Sequence, residues 1–210
     1  MAGERARVPF VGLTGGIAAG KSEALKALER LGAATLSSDA VVHELLMSNE
    51  VRDQLVEKLG PEVAPDGEVD RAAIAERVFG DDERREWLEG ILWPRVGHRI
   101  FEWRQELERR DEPPRAAVVE VPLLFEAEME SGFDATLAVI ADESVREQRA
   151  EARGHVGTGS RTARQLSQDQ KSQRADFTVR NDGSLAELEQ KLSEVLASIE
   201  RDEQHSNTGT

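Results

Sequence analysis

Residues 15–22 read GGIAAGKS, and this stretch decides the fold because it fits the pattern G-x-x-x-x-G-K-[ST]. The apolar run Val8–Thr14 before it predicts a buried strand, and the leucine spacing of Ser22–Leu31 after it predicts a helix. A glycine-rich turn between a strand and a helix lets successive backbone N–H groups surround phosphate oxygens. The stretch therefore predicts a site for a nucleoside triphosphate.

Two side chains of this phosphate loop have specific expected contacts. Lys21 is expected to reach the β- and γ-phosphates as a point charge, and the Ser22 hydroxyl can bind Mg²⁺. The alternative is an ordinary connection between a strand and a helix, which the placement of the motif disfavours. We predict that the nucleotide is bound by Gly15, Gly16, Ile17, Ala18, Ala19, Gly20, Lys21, Ser22 and Glu23.

The rest of the chain alternates between strand and helix patterns, which predicts a parallel α/β sheet. A helical and charged pattern over residues 40–110 predicts an insertion, broken at Pro61–Gly67 and Asp81–Asp82. A final helix is predicted over Ser184–Ile199, because Ser184 and Glu187 form a capping box ahead of a periodic apolar run. The remaining strands are predicted from short apolar runs at Ala33–Leu36, Ala116–Val121, Thr136–Ile140 and Phe177–Arg180.

Composition limits the kinds of partner. The chain has 27 basic and 41 acidic residues, and its net charge of −14 disfavours nucleic acid and anionic membranes. The absence of cysteine excludes disulfides and thiolate metal sites and fits a reducing compartment. No apolar run approaches the roughly 20 residues of a membrane span. We expect a cytoplasmic protein with a small-molecule substrate, no nucleic-acid or membrane partner, and a monomeric or weakly homo-oligomeric state.

Charged residues at strand ends and on one helix favour a small-molecule kinase. The chain lacks the Asn/Thr-Lys-x-Asp run with which a guanine-specific switch reads its base. Asp39 follows the second strand, where it could accept a hydroxyl proton or simply cap the next helix. Glu120, near the end of the third strand, could face hydrated Mg²⁺ or lie on the surface. Arg149 and Arg153 are four residues apart on a predicted helix and could share one anion or belong to a solvated face.

Several motifs make the chain resemble the dephospho-CoA kinase family over about residues 11–192. The opening VGLTGGIAAGKSE resembles the family's VGLTGGIGSGKST, and the segment Glu120–Glu126, EVPLLFE, matches its D/E-V-P-L-L-F-E. Residues 66–71, DGEVDR, match D-G-x-x-D-R. Arg149 and Arg153 occupy the R-x-x-x-R of the family's lid.

The resemblance implies an activity and a set of site residues. The activity is transfer of the ATP γ-phosphoryl group to the ribose 3′-hydroxyl of dephospho-CoA, the last step of CoA biosynthesis. ATP and Mg²⁺ are the implied cofactors. The matched positions imply Asp39 as the general base and Ser22 as the Mg²⁺ ligand. They also imply Arg149 and Arg153 around the transferring phosphoryl group, and Asn181 near the adenine.

The resemblance also implies the architecture, a three-layer α/β sandwich of the P-loop kinase type with a five-stranded parallel sheet. A single domain is expected. Its core would comprise residues 8–39 and 114–200, with a helical CoA-binding insertion at 40–112, a lid at about 143–175 and a polar tail at 201–210.

The chain departs from the family pattern at a few positions. Ala18 replaces a loop glycine, so an intact loop is expected to need a negative φ there. Glu23 brings a carboxylate near the α-phosphate unless it turns to solvent. Trp93 replaces the histidine of the insertion's H-P, and Ser37 replaces the first aspartate of D-A-D. The alternative functions are another kinase of this fold, acting on a nucleoside, and a nucleotide-binding regulatory protein without turnover.

Overall fold

Five parallel strands form one sheet in the order β2-β3-β1-β4-β5. The computed structural model describes residues 7–152 and 165–207. The central strand is β1, whose Val11 pairs with Val118 of β3 and with Ala135 of β4. The predicted parallel α/β fold is therefore confirmed, with small shifts at the strand ends. The strands are β1 (Phe10–Gly15), β2 (Ala34–Ser37), β3 (Ala117–Glu120), β4 (Ala135–Ile140) and β5 (Phe177–Arg180).

Helices connect the strands and fill the predicted insertion. The last helix, α8 (Leu185–Asn207), extends eight residues beyond its predicted end at Ile199. No glycine or proline interrupts the chain there before Gly209, so the polar residues from 201 to 207 continue the helix. In the described ranges, no helix has the length and hydropathy needed to cross a membrane. The helices are α1 (Lys21–Arg30), α2 (Ser38–Leu46), α3 (Asn49–Leu59), α4 (Arg71–Val78), α5 (Asp82–Glu108), α6 (Glu143–Ala152), α7 (Gln168–Arg174) and α8 (Leu185–Asn207).

The sheet belongs to a compact unit formed by Met1–Leu36 together with Arg104–Thr210. On one face of the sheet, Leu13 of β1 lies in the same buried cluster as Leu28 of α1 and Leu192 of α8. Burial of each such leucine contributes about 1.5–3 kcal/mol to the free energy of unfolding. This apolar face positions α1, and with it the loop that precedes α1.

The opposite face of the sheet is covered by α7. Successive side chains of a strand point to opposite faces, so Thr14 faces away from the cluster that contains Leu13. The hydroxyl of Thr14 accepts a hydrogen bond from Lys171 of α7. The unit therefore has three layers, with helices on both sides of the sheet.

The second compact unit, Ser37–Trp103, consists of helices around a core of its own. Short 3-10 turns at Pro61–Val63 and Pro65–Gly67 separate α3 from α4, at the predicted break. A second break precedes α5, where the Asp81 carboxylate accepts a hydrogen bond from the backbone N–H of Arg84 at 3.0 Å. The buried core of this unit is formed by Leu46, Val51, Leu55, Leu59, Val63, Ile74 and Leu92.

Candidate active site

The phosphate loop joins the central strand β1 to α1. Gly15 is required because a Cβ there would lie 2.2 Å from the carbonyl oxygen of Val139 in β4. Gly20 is required for two reasons, because its φ is 99° and because a Cβ would lie 2.1 Å from Nδ2 of Asn181. The close approach of β4 and of Asn181 therefore explains both glycines.

Ala18 has a φ of 60°, so the expectation of a negative φ at this position is wrong. The loop closes around it, since the backbone N–H of Ala19 donates to the Gly16 carbonyl at 3.2 Å and the Ala19 side chain is buried. A left-handed conformation costs a residue other than glycine roughly 1–2 kcal/mol. The loop thus keeps its turn with a strained alanine at this position.

Lys21 begins α1, and its ammonium group lies against the loop. Its Nζ donates to the carbonyl oxygens of Gly15 at 3.2 Å and Gly16 at 3.3 Å. The same Nζ lies 3.9 Å from Oε1 of Glu120 at the end of β3. Ser22 follows in the first turn of α1 and is exposed. The structure therefore brings Lys21 and Glu120 together at the edge of the sheet where the loop lies.

Two arginines of α6 also contact the loop. Nη1 of Arg149 donates to the carbonyl of Ala19 at 3.5 Å, and Nε of Arg146 donates to the carbonyl of Ile17 at 2.9 Å. No sequence pattern singles out Arg146, because its contact with the loop exists only in the folded chain. Arg153 lies outside the described residues.

Two side-chain amides lie at the loop, one just after β5 and one on α7. Nδ2 of the buried Asn181 donates to the carbonyl of Ala19 at 2.9 Å. Gln168 packs against Gly16, and its amide bonds both the N–H and the carbonyl of Ala141 at 3.0 and 2.8 Å. No sequence pattern had singled out Gln168. Asn181 supports the loop, and its expected place beside adenine stays a prediction.

Glu23 points along α1. Its Oε1 lies 3.0 Å from Nζ of Lys26, one turn further along the helix. The charge that was expected near the α-phosphate is therefore balanced by a neighbouring lysine.

Asp39 lies in the helical unit, in the first turn of α2, and is exposed. The N-cap residue of that helix is Ser37, so Asp39 is not the cap. A carboxylate in a first turn also interacts favourably with the helix dipole. Trp93, at the position of the family's histidine, is 42% exposed on α5, which continues through Pro94.

The oxygen donors near the loop fit a magnesium ion. Mg²⁺ usually keeps several waters and is held by one or two carboxylates together with phosphate oxygens. Ser22 offers a hydroxyl and Glu120 a carboxylate, and Glu120 lies beside the lysine of the loop. Within residues 7–152 and 165–207, no group of three or more His, Cys, Asp or Glu side chains could hold a metal alone. This donor set suits an ion that arrives with a nucleotide.

Comparisons with known proteins agree on one family. The family model for dephospho-CoA kinase matches residues 9–187. A dephospho-CoA kinase from Protochlamydia amoebophila is 36% identical over 193 residues, which cover 90% of this chain and 95% of the relative. The crystal structure of TT1252 from Thermus thermophilus has a TM-score of 0.75 at 34% identity and covers 91% of this chain and 98% of that one. Dephospho-CoA kinase from Campylobacter jejuni has a TM-score of 0.66 at 25% identity, covering 91% and 97%.

Proposed function

The chain belongs to the dephospho-CoA kinase family, and we propose how its own residues carry out the family's reaction, the last step of CoA biosynthesis. ATP donates the γ-phosphoryl group, and the ribose 3′-hydroxyl of dephospho-CoA accepts it. The observation that supports the proposal most is the group of cationic side chains on one loop, Lys21, Arg146 and Arg149.

The cationic side chains stabilise the phosphoryl group during transfer. Phosphoryl transfer is accelerated mainly by positioning and by charges already in place, because the protein forms no covalent bond to the substrate. Lys21 and Arg149 are held by loop carbonyls, so binding of a triphosphate requires little reorganisation of either side chain. We assign the same role to Arg153 from its place in the R-x-x-x-R motif.

The nucleotide and its metal ion are held by the loop and its neighbours. Residues 15–23 surround the phosphates, and Asn181 lies near the adenine. Ser22 and Glu120 would hold Mg²⁺, which would supply positive charge to neutralise the phosphates. The 3.9 Å between Lys21 Nζ and Glu120 Oε1 supports this assignment, because it puts the carboxylate beside the ammonium group that contacts the phosphates.

Asp39 acts on the acceptor. A ribose hydroxyl is a weak nucleophile, so a carboxylate that orients it and accepts its proton lowers the barrier. The exposure of Asp39 and the presence of Ser37 as the N-cap support this role over a capping role. The reaction is expected in the cytoplasm, where ATP is available, with the protein as a monomer or weak homo-oligomer.

The test is a substrate-dependent assay of the purified chain. ATP and MgCl₂ are mixed with dephospho-CoA or with a set of nucleosides, ADP release is followed, and ³¹P NMR identifies the phosphorylated oxygen. We expect ADP release that requires dephospho-CoA and a product phosphorylated at the 3′ position. ADP release with nucleosides alone would indicate a nucleoside kinase, and ATP binding without turnover would indicate a regulatory protein.

A further inference from the structure

The buried ammonium group of Lys171 joins three segments of the sheet unit. The Lys171 side chain, on α7, has no exposed surface. Its Nζ donates to the carbonyl oxygen of Pro122 at 2.6 Å and to Oγ1 of Thr14 at 3.3 Å, and it lies 3.0 Å from Oε1 of Glu126. An ammonium group has three donors. Each of them therefore has an acceptor.

A buried ion pair is a poor way to gain stability. Apolar residues of similar volume often stabilise such a site equally well or better, because both charges must be removed from water. Burial lowers the pKa of Lys171, and the hydrogen bond and charge of Glu126 act in the opposite direction. The packing of α7 on the sheet thus needs an apolar side chain more than it needs a lysine. What a lysine adds is a set of directed hydrogen bonds.

Those hydrogen bonds end on the two segments that carry the phosphate chemistry. Thr14 immediately precedes Gly15, the first residue of the loop, and Pro122 closely follows Glu120. The Thr14 hydroxyl itself donates to the Pro122 carbonyl at 3.3 Å. Lys171 therefore adds side-chain hydrogen bonds between the end of β1 and the chain that leaves β3, beside the backbone ladder that pairs the two strands.

We propose that Lys171 is a positioning residue for phosphoryl transfer, whose ammonium group sets the separation of the phosphate loop from Glu120. This inference rests on the roles proposed above for Lys21 and Glu120. Glu126 supplies the compensating charge, and its Oε1 also accepts the backbone N–H of Leu166 at 2.8 Å. Gln168, one turn earlier on α7, supports the loop from the same side at Gly16.

The test compares Lys171→Met with the double variant Lys171→Met, Glu126→Gln. Methionine keeps the length of the side chain, and glutamine can still accept the Leu166 N–H. We expect Lys171→Met to lower kcat about ten- to a hundredfold, because a small displacement of reacting groups has effects of that size. The KM for dephospho-CoA should stay within about twofold, and half-maximal turnover should need more Mg²⁺.

The double variant separates positioning from charge balance. Removal of both charges should restore the melting temperature that Lys171→Met loses. It removes the ammonium group that donates to Thr14 and Pro122, so kcat should remain low. Recovery of the wild-type kcat in the double variant would overturn the inference, because neutralising Glu126 would then be the only role of Lys171.

Three further variants complete the series. Arg174→Met is the matched control. Arg174 lies on the same helix and pairs with Glu130 but has no hydrogen bond to Thr14 or Pro122, so the kcat of this variant should be unchanged.

If neither Lys171 variant folds, Thr14→Val tests the inference in their place. We expect a severalfold lower kcat, and a wild-type kcat would overturn the inference. Lys21→Ala is assayed in parallel to test the phosphate site itself. Full activity of this variant would refute the proposed phosphate site, on which the role of Lys171 rests.

Discussion

Two groups of basic side chains, one in each compact unit, have different partners. In the helical unit, Ser37–Trp103, Arg85 pairs with Asp82 and Arg95 pairs with Glu50, where the acidic partners are mostly exposed. In the sheet unit, Lys21, Arg146 and Arg149 all donate to backbone carbonyls of one short loop. The first arrangement covers a surface with charge, and the second collects charge at one point.

The difference indicates which charged side chains are placed to act in catalysis. Exposed ion pairs contribute little to stability, typically under about 1 kcal/mol, and they fix the side chains only loosely. In contrast, the carbonyl oxygens of a tightly turned loop hold the side chains that donate to them close to one another. We propose that a triphosphate entering this loop meets cations that are already held close to it.

The largest effect on turnover is expected from replacement of Lys21. Lys21→Ala should lower kcat by about 10²- to 10³-fold, the cost of removing one preorganised donor. The fold should survive, although the Lys21 side chain is only 15% exposed. Kinetics and thermal melting of the same sample check both points. Near-normal turnover would show that the loop is not the catalytic phosphate site.

A smaller effect on kcat is expected at Arg149, and it can be compared directly with the effect at a surface arginine. Arg149→Lys should lower kcat about tenfold or more, since a point charge cannot replace a planar fork that makes two parallel hydrogen bonds to phosphate oxygens. Arg109→Lys is the matched control. Arg109 is exposed and donates to Gln105 of the preceding helix α5, so the kcat of this variant should stay within about twofold of the wild type. Equal, small effects at both positions would support a solvated charged face.

The smallest effect is expected away from the loop, at Glu200. Hydrogen bonds from Arg115 hold the pKa of Glu200 below its usual value, against the opposing effect of burial. A lowered pKa in the folded state stabilises the protein above the unfolded-state pKa, and this contribution is lost as the pH falls through the folded-state pKa. Glu200→Gln should therefore lower the free energy of unfolding by under about 1 kcal/mol at neutral pH. Urea titrations across acidic pH should show that difference disappear, with kcat unchanged.

The strands and the loop could be predicted from the sequence because local patterns determine them. The apolar run before GGIAAGKS and the leucines after it require a strand, a tight turn and a helix in that order. The capping box of α8 is likewise present, with the Ser184 N–H donating to Glu187 at 2.7 Å and the Glu187 N–H donating to Ser184 at 3.3 Å.

The contacts that shape the loop could not be predicted, because they join segments far apart in the chain. The left-handed φ of Ala18 follows from the closure of the loop, whereas alanine by itself favours negative φ. A lysine such as Lys171 reads as surface charge until α7 is placed on the sheet. The amide of Asn181 is recognisable as a support for the loop only once β5 lies beside β4.

In the proposed mechanism the loop binds ATP, and Asp39 activates the hydroxyl group. Asp39→Asn tests this division because asparagine keeps the size of the side chain and removes only the base. Ser37→Ala is the matched control. Ser37 is the N-cap of α2 but makes no side-chain capping hydrogen bond, so this variant should retain most activity.

The decisive measurement is the kcat of Asp39→Asn for dephospho-CoA, taken together with its Kd for ATP from calorimetry. We expect kcat to fall by at least about 10²-fold, the lower range for loss of a general base, while the Kd for ATP stays within about twofold and the Tm stays close to that of the wild type. A wild-type kcat in this variant would contradict the account.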